Sequence, residues 1–226
     1  VAHFWDGGLM ALFLKRKFKN SPHIWVPHEP VGMKKAPLPD IHHERHHIPA
    51  RERYEKMIVD SADAIGSTSK LVRDDLVNDY GKKCSDKLID IFPGVDTDRF
   101  FPADKEGLGG EVIKRHAEFL NLPEELFSKP HICEFGRSDS LKDKDKAVEA
   151  FAKVAEQVDD LIMFLNLDER MEPGIAERIH KIVEKNNLKD RVYILSPEQL
   201  PQSGNGNCIM PDLMRTSKVL LTMSVM

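Results

Sequence analysis

Short apolar runs alternate with segments whose apolar positions recur every three or four residues through nearly the whole chain. This is the pattern of strands and helices in a doubly wound α/β fold with parallel strands. The order begins with a strand end at 1–5, a helix over 8–18, the strand HIWVPH at 23–28 and an irregular His- and Pro-rich loop at 29–49. A helix is predicted from 50 to 61, and DAIGSTS at 63–69 reads as a short strand whose hydroxyl residues can cap the helix KLVRDDLVNDY, ended by Gly81. LIDIFP at 88–93 is the next strand. PGVDTDRFFPAD then marks turns, and 103–130 is weakly patterned with one helix near 111–121. Beyond it the pattern predicts strands at 131–136, 161–167, 192–196 and 219–224, with helices at 144–158, 174–187 and 211–217 between them. Val148, Phe151, Ala152, Ala155 and Val158 form a core-facing stripe on the first of these helices.

Composition adds bounds rather than identity. The 226 residues are 41% hydrophobic and 31% charged, which fits one large globular domain or two smaller ones. A formal net charge of −4 gives no general attraction to nucleic acid or to anionic membranes. The longest apolar run, LMALFL at 9–14, is far short of the roughly 20 residues of a membrane span. Cys84, Cys133 and Cys208 are too widely spaced for a disulfide framework or a cysteine metal site, so a reducing, cytoplasmic setting is the simplest expectation. The chain opens on VAHFWDGG without an initiator Met and closes on the apolar KVLLTMSVM, from which an internal piece of a longer protein is expected.

The segment HICEFGRSDSLKDKDKAVEAF at 131–151 carries the clearest candidate chemistry. An apolar strand stops at Gly136-Arg137 and a cationic loop leads into a helix, where an α/β sheet offers a crevice and a helix start offers N–H donors to an anion. Arg137 and Lys142 would supply full charges, and a planar fork beside a mobile point charge suits two adjacent phosphates. The competing reading is a solvated charged loop.

Elsewhere, His28 ends an apolar strand and has two readings, an imidazole in the ligand crevice or a strand cap. Trp5, Asp6 and Gly7 form a strand-to-helix turn with Gly8, in which the glycines would allow a ligand close to backbone. Asp6 suits helix capping or sugar hydroxyls. Arg51 and Arg53 open a helix, while Lys34 and Lys35 with His42, His43, His46 and His47 could form a cationic lip. His43-Glu44-Arg45-His46-His47 also satisfies H-E-x-x-H, a zinc-hydrolase signature that needs a helix. Pro37, Pro39 and Pro49 leave little room for one, so a polar loop is the stronger reading.

Four stretches together resemble glycosyltransferase family 4, the retaining sugar-nucleotide transferases of GT-B fold, and most nearly the sucrose-phosphate synthase branch. HFWDGG at 3–8 is similar to that branch's H-Y-W-D-A-G, and VPHEPVGMKK at 26–35 to its H-S-L-G followed by lysine. RERYEKMIVDSADAIGSTS at 51–69 resembles the R-x-x-x-E helix and A-D-x-I-x-S-T strand, and IFPGVDTDRFFP at 91–102 resembles the interdomain P-x-G-V-D-x-x-x-F-x-P. FGRSDSLKDKDKAVEAF then matches F-G-R-x-x-x-x-K-N/G, except that Asp143 stands where Asn or Gly is usual.

The resemblance implies an α/β protein of GT-B type with two Rossmann-like domains, both incomplete in this chain. Residues 1–97 would be the C-terminal part of the acceptor-binding domain and 98–226 the N-terminal part of the donor-binding domain. The implied reaction moves a hexose from a UDP- or GDP-sugar to a sugar or sugar-phosphate acceptor, without a metal or other cofactor. It assigns Gly136, Arg137 and Lys142 to the donor diphosphate and His28 to the transferring sugar. Trp5, Asp6, Gly7, Arg51, Arg53 and either Lys34 or Lys35 fall to the acceptor. The family's E-x7-E segment would begin just after Met226, so this chain alone is expected to be inactive. A non-catalytic sugar- or nucleotide-binding module and a zinc hydrolase built on His43, Glu44 and His47 are the alternatives.

Overall fold

Every strand pairing among the described residues is parallel, and the strands fall into two sheets. The computed structural model describes residues 1–32, 44, 47–102, 108–139, 142–200 and 209–223. The chain divides into two units, Val1–Gly94 and Val95–Met226.

In the first unit, β1 (Ala2–His3), β2 (Ile24–Val26), β3 (Ala64–Ser67) and β4 (Leu88–Asp90) lie in that spatial order. They are connected through α1 (Phe4–Lys17), α2 (Ile48–Ser61), α3 (Lys70–Tyr80) and the short α4 (Lys82–Ser85). Ser69 caps α3 by accepting a hydrogen bond from Val72 N at 3.2 Å, and Gly81, at φ 62°, ends it in the left-handed region, as the sequence predicts. Trp25, Ile58, Ile65 and Leu76 are fully buried at the centre, and the Trp25 indole N–H donates to the Phe4 carbonyl at 2.9 Å.

Helix α1 begins four residues earlier than its pattern predicts. Trp5, Asp6, Gly7 and Gly8 therefore belong to its first turns instead of a separate strand-to-helix turn. Within this turn Gly8 packs closely on the core: a Cβ there would lie 2.7 Å from Ile58 Cδ1 and 2.8 Å from Trp25 Nε1. Gly8 serves the core and is not a point of ligand approach.

In the second unit, β5 (His131–Glu134), β6 (Ile162–Asn166), β7 (Val192–Leu195) and β8 (Val219–Leu220) are ordered β7-β6-β5-β8. The helices are α5 (Gly110–Leu120), α6 (Lys144–Ala155), α7 (Pro173–Lys185) and α8 (Ile209–Thr216). Strand β6 is buried on both faces, as a central parallel strand must be. Met163 and Leu165 pack with Val148, Phe151 and Ile179 in one cluster, while Ile162 and Phe164 pack with Leu120, Phe127 and Leu213 in another.

Some boundaries differ from the pattern. Helix α6 ends at Ala155, leaving Val158 beyond it and 42% exposed, whereas the other four stripe residues are buried. Strand β4 stops at Asp90, shortly before Pro93 and Gly94, and β8 is only two paired residues. Cys84 and Cys133 are free, buried thiols whose pKa values burial pushes up to about 11 and about 12. No helix among the described residues is long and apolar enough to cross a membrane.

Gly8→Ala should destabilise the fold by about 1–3 kcal/mol through overpacking, read as a lower urea midpoint. Gly7→Ala, whose Cβ would meet only Ala2 C at 3.8 Å, should change stability by no more than about 0.5 kcal/mol.

Candidate functional site

Strand β5 sits where the strand order turns back: β6 and β7 lie on one side and β8 on the other. Chain leaving β5 and chain leaving β6 or β8 diverge at such a point, and a crevice opens beyond the carboxyl ends of the strands. Gly136 and Arg137 follow β5 at that crevice.

The segment is held to the sheet by hydrogen bonds within the second unit. Gly136 N–H donates to Glu134 Oε1 at 3.0 Å, and the buried Ser138 hydroxyl accepts from Asp168 N at 2.8 Å, just past β6. A Cβ on Gly136 would sit 2.7 Å from Glu134 Oε1 and 3.6 Å from Lys142 Cγ and Cδ. Glycine is thus demanded by close approach of the carboxylate. Lys142 N–H closes the loop on the Asp139 carbonyl at 3.0 Å.

Arg137 projects outward, its side chain 71% exposed, with Nε 3.2 Å from Asp139 Oδ2. An exposed ion pair of this kind is worth little, so the guanidinium can exchange its partner for a more highly charged anion at small cost. Asp143, the departure from the family pattern, adopts φ 41° ahead of α6, and its carboxylate accepts from Lys146 Nζ at 2.5 Å. Its charge is thereby spent on Lys146. The start of α6 adds the partial positive charge of a helix N-terminus.

A cavity of about 500 Å³ opens beyond β6 and β7, lined in part by Leu167, Asp168, Arg170, His180, Ile194 and Glu198. The Arg170 guanidinium donates to Asp168 at 2.8 Å and pairs with Glu198 at 2.9 Å, and it holds the Asp168 carboxyl below the usual carboxylate range. Volume and polar rim suit a nucleoside-sized ligand.

In the first unit, His28 follows β2 with φ 59°, a left-handed conformation uncommon for a residue with a Cβ. Its Nε2 lies 2.8 Å from Nδ1 of His3, at the end of β1, so one ring donates N–H to the other. The rings stack with centroids 5.1 Å apart, and the Phe4 ring is 4.8 Å from His28. Burial, then the His3 charge, lowers the His28 pKa. Trp5 stacks on Tyr54 with centroids 6.2 Å apart, and Asp6 Oδ1 accepts from Gly7 N at 2.9 Å.

Arg51 and Arg53 separate sharply. Arg53 is exposed, but Arg51 is buried, donating to the Glu29 carbonyl at 3.1 Å and lying 3.6 Å from Glu55 Oε1. Glu55 also accepts from Val31 N and the Tyr80 hydroxyl, and burial raises its pKa. Arg51 is therefore built into the packing of α2 against the segment after His28. Lys34, Lys35, His42, His43 and His46 lie outside the described residues. Glu44 is in a turn and His47 precedes α2, so neither is on a helix as the zinc reading requires.

Sequence reading missed the Glu134–Lys144–Asn166 cluster beneath the cationic loop. Lys144 Nζ donates to Glu134 Oε2 and, at 2.9 Å, to Asn166 Oδ1, and both charged side chains are essentially fully buried. A signal was present: Lys144 stands four residues before Val148 and so on the apolar stripe of its helix.

The shift at His28 fixes a sign. Between its lowered folded value and the ordinary 6.5, the unfolded chain binds more protons, so this group's contribution to stability is lost as pH falls through that window. In an NMR titration His28 should have a midpoint below 6.5, and His3→Gln should move it only part of the way back, because burial is the larger cause. A wild-type midpoint at 6.5 would contradict the burial described.

No family model matches the chain. Mannosylfructose-phosphate synthase of Agrobacterium fabrum is 26% identical over 215 residues, covering 88% of this chain and 44% of that protein. Among solved structures, Anabaena HepE in complex with UDP and glucose aligns with 97% of this chain and 50% of its own, at TM-score 0.63 and 14% identity. The α,α-trehalose 6-phosphate synthase of Burkholderia multivorans aligns with 98% and 50%, at TM-score 0.64 and 13% identity. The chain thus spans about half the length of the proteins it matches. Its two parallel α/β units have the fold of GT-B glycosyltransferases.

Proposed function

We propose that the chain belongs to a retaining glycosyltransferase that moves a hexose from a nucleotide diphosphate sugar to a sugar or sugar-phosphate acceptor. The observation that carries this reading is the reversal of strand order at β5, with a pinned loop bearing Arg137 and Lys142 directly beyond it. The kinship with mannosylfructose-phosphate synthase supports a sugar-phosphate product, and the sucrose-phosphate synthase branch is the nearest by motif. UDP is the preferred nucleotide, because HepE, of the same fold, is known with UDP and with UDP-glucose; GDP is the alternative.

The chemistry follows from charge. Cleaving the bond between sugar and diphosphate leaves negative charge on the departing group, and preorganised donors at that group lower the barrier. Arg137 would offer a bidentate grip and Lys142 a point charge, while the start of α6 adds its partial charge. These cations take the place of a divalent ion in this mechanism. His28, its ring oriented by His3, would bear on the transferred hexose. Trp5, Asp6, Gly7 and Arg53, with Lys34 or Lys35, are assigned to the acceptor. Arg51 would act by shaping the segment after His28.

Arg137→Ala should weaken UDP binding, measured by calorimetry, about 10- to 100-fold, the loss of one or two charge-assisted hydrogen bonds. Its melting temperature should not move, since the side chain is exposed. An unchanged affinity would overturn the donor-site assignment.

A further inference from the structure

Beneath the loop that the proposed function assigns to the donor diphosphate lies a charged pair that no ligand can reach. Lys144 is 0% and Glu134 1% exposed in their side chains. Such a pair contributes little to stability, because the desolvation of two ions offsets their attraction, and apolar replacements of the same volume are commonly as stable or more so. The pair is also neutral in sum, so it adds little field at the crevice. What it does supply is geometry.

Both carboxylate oxygens of Glu134 are engaged, Oε2 by the Lys144 ammonium and Oε1 by the Gly136 N–H. The ammonium in turn reaches Asn166 Oδ1 at the end of β6. One buried cation therefore joins the ends of β5 and β6 to the first residue of α6. Gly136 and Lys144 are thus both anchored, and the two phosphate-directed cations stand beside them in sequence. Arg137 directly follows Gly136, and Lys142 is two residues before Lys144.

Resting on the donor-site reading, we infer that Lys144 and Glu134 are positioning residues for the donor diphosphate, holding the Gly136 backbone, and with it Arg137, in place for the anion. Lys144 does not touch the nucleotide. It acts through Glu134 and the Gly136 amide.

The test separates positioning from stability. In the full chain, Glu134→Leu/Lys144→Met removes both charges together and should melt within a few degrees of the wild type. It should nevertheless bind UDP about tenfold more weakly, because the site loses the supporting contacts that hold its geometry. Glu134→Gln/Lys144→Met restores an oxygen for the Gly136 N–H and should recover most of the affinity. Asn166→Ala keeps both charges and decides the matter should the apolar pair fail to fold: it should lose about threefold in UDP affinity at unchanged melting temperature.

A folded Leu/Met variant, or failing that Asn166→Ala, that binds UDP as tightly as wild type overturns the inference and leaves the donor-site reading standing. Wild-type chain with no affinity for UDP overturns both.

Discussion

The reversal of strand order at β5 is the constraint on which the second unit depends. A strand with parallel neighbours on both sides must send its following chain away from at least one of them, and the space so opened is lined by strand ends and a helix start. Because β6 runs on one side and β8 on the other, the loop after β5 borders that space. Val148, Phe151 and Ile179 pack in the cluster on one face of the sheet and Phe127 and Leu213 in the cluster on the other.

Two kinds of charge meet at this edge and do different work. Glu134 and Lys144 are removed from water, and their attraction fixes positions while their fields nearly cancel. Arg137 stays in water with only a weak partner, so its charge remains available to an incoming anion. Asp143, ahead of α6, is paired with Lys146. The first unit shows a related division. Arg51 is committed to Glu55 and the Glu29 carbonyl, whereas Arg53, two residues on, faces solvent.

Much of this architecture was legible in the sequence, because parallel α/β units write their strands as short apolar runs and their helices as stripes. The helix from 144 and the Ser69 and Gly81 caps follow from local physics alone. The elements misread are those where distant contacts decide. Helix α1 takes in Gly8 packed against Trp25 and Ile58, and no spacing rule in residues 1–17 contains that contact. Likewise Arg51 and Arg53 look alike as helix-opening cations until α2 is packed. The loop from Gly136 to Lys142 was recognisable as cationic, but its place at the strand reversal required knowing that β8 pairs with β5.

Hydrogen–deuterium exchange with and without saturating UDP tests the central claim most directly, since it reads the backbone of the loop itself. The account predicts that UDP slows exchange at the amides of Gly136 to Lys142 and the first turn of α6, with the edge beyond β6 and β7 following. Protection confined to the first unit, or none at all in the segment after β5, would contradict it.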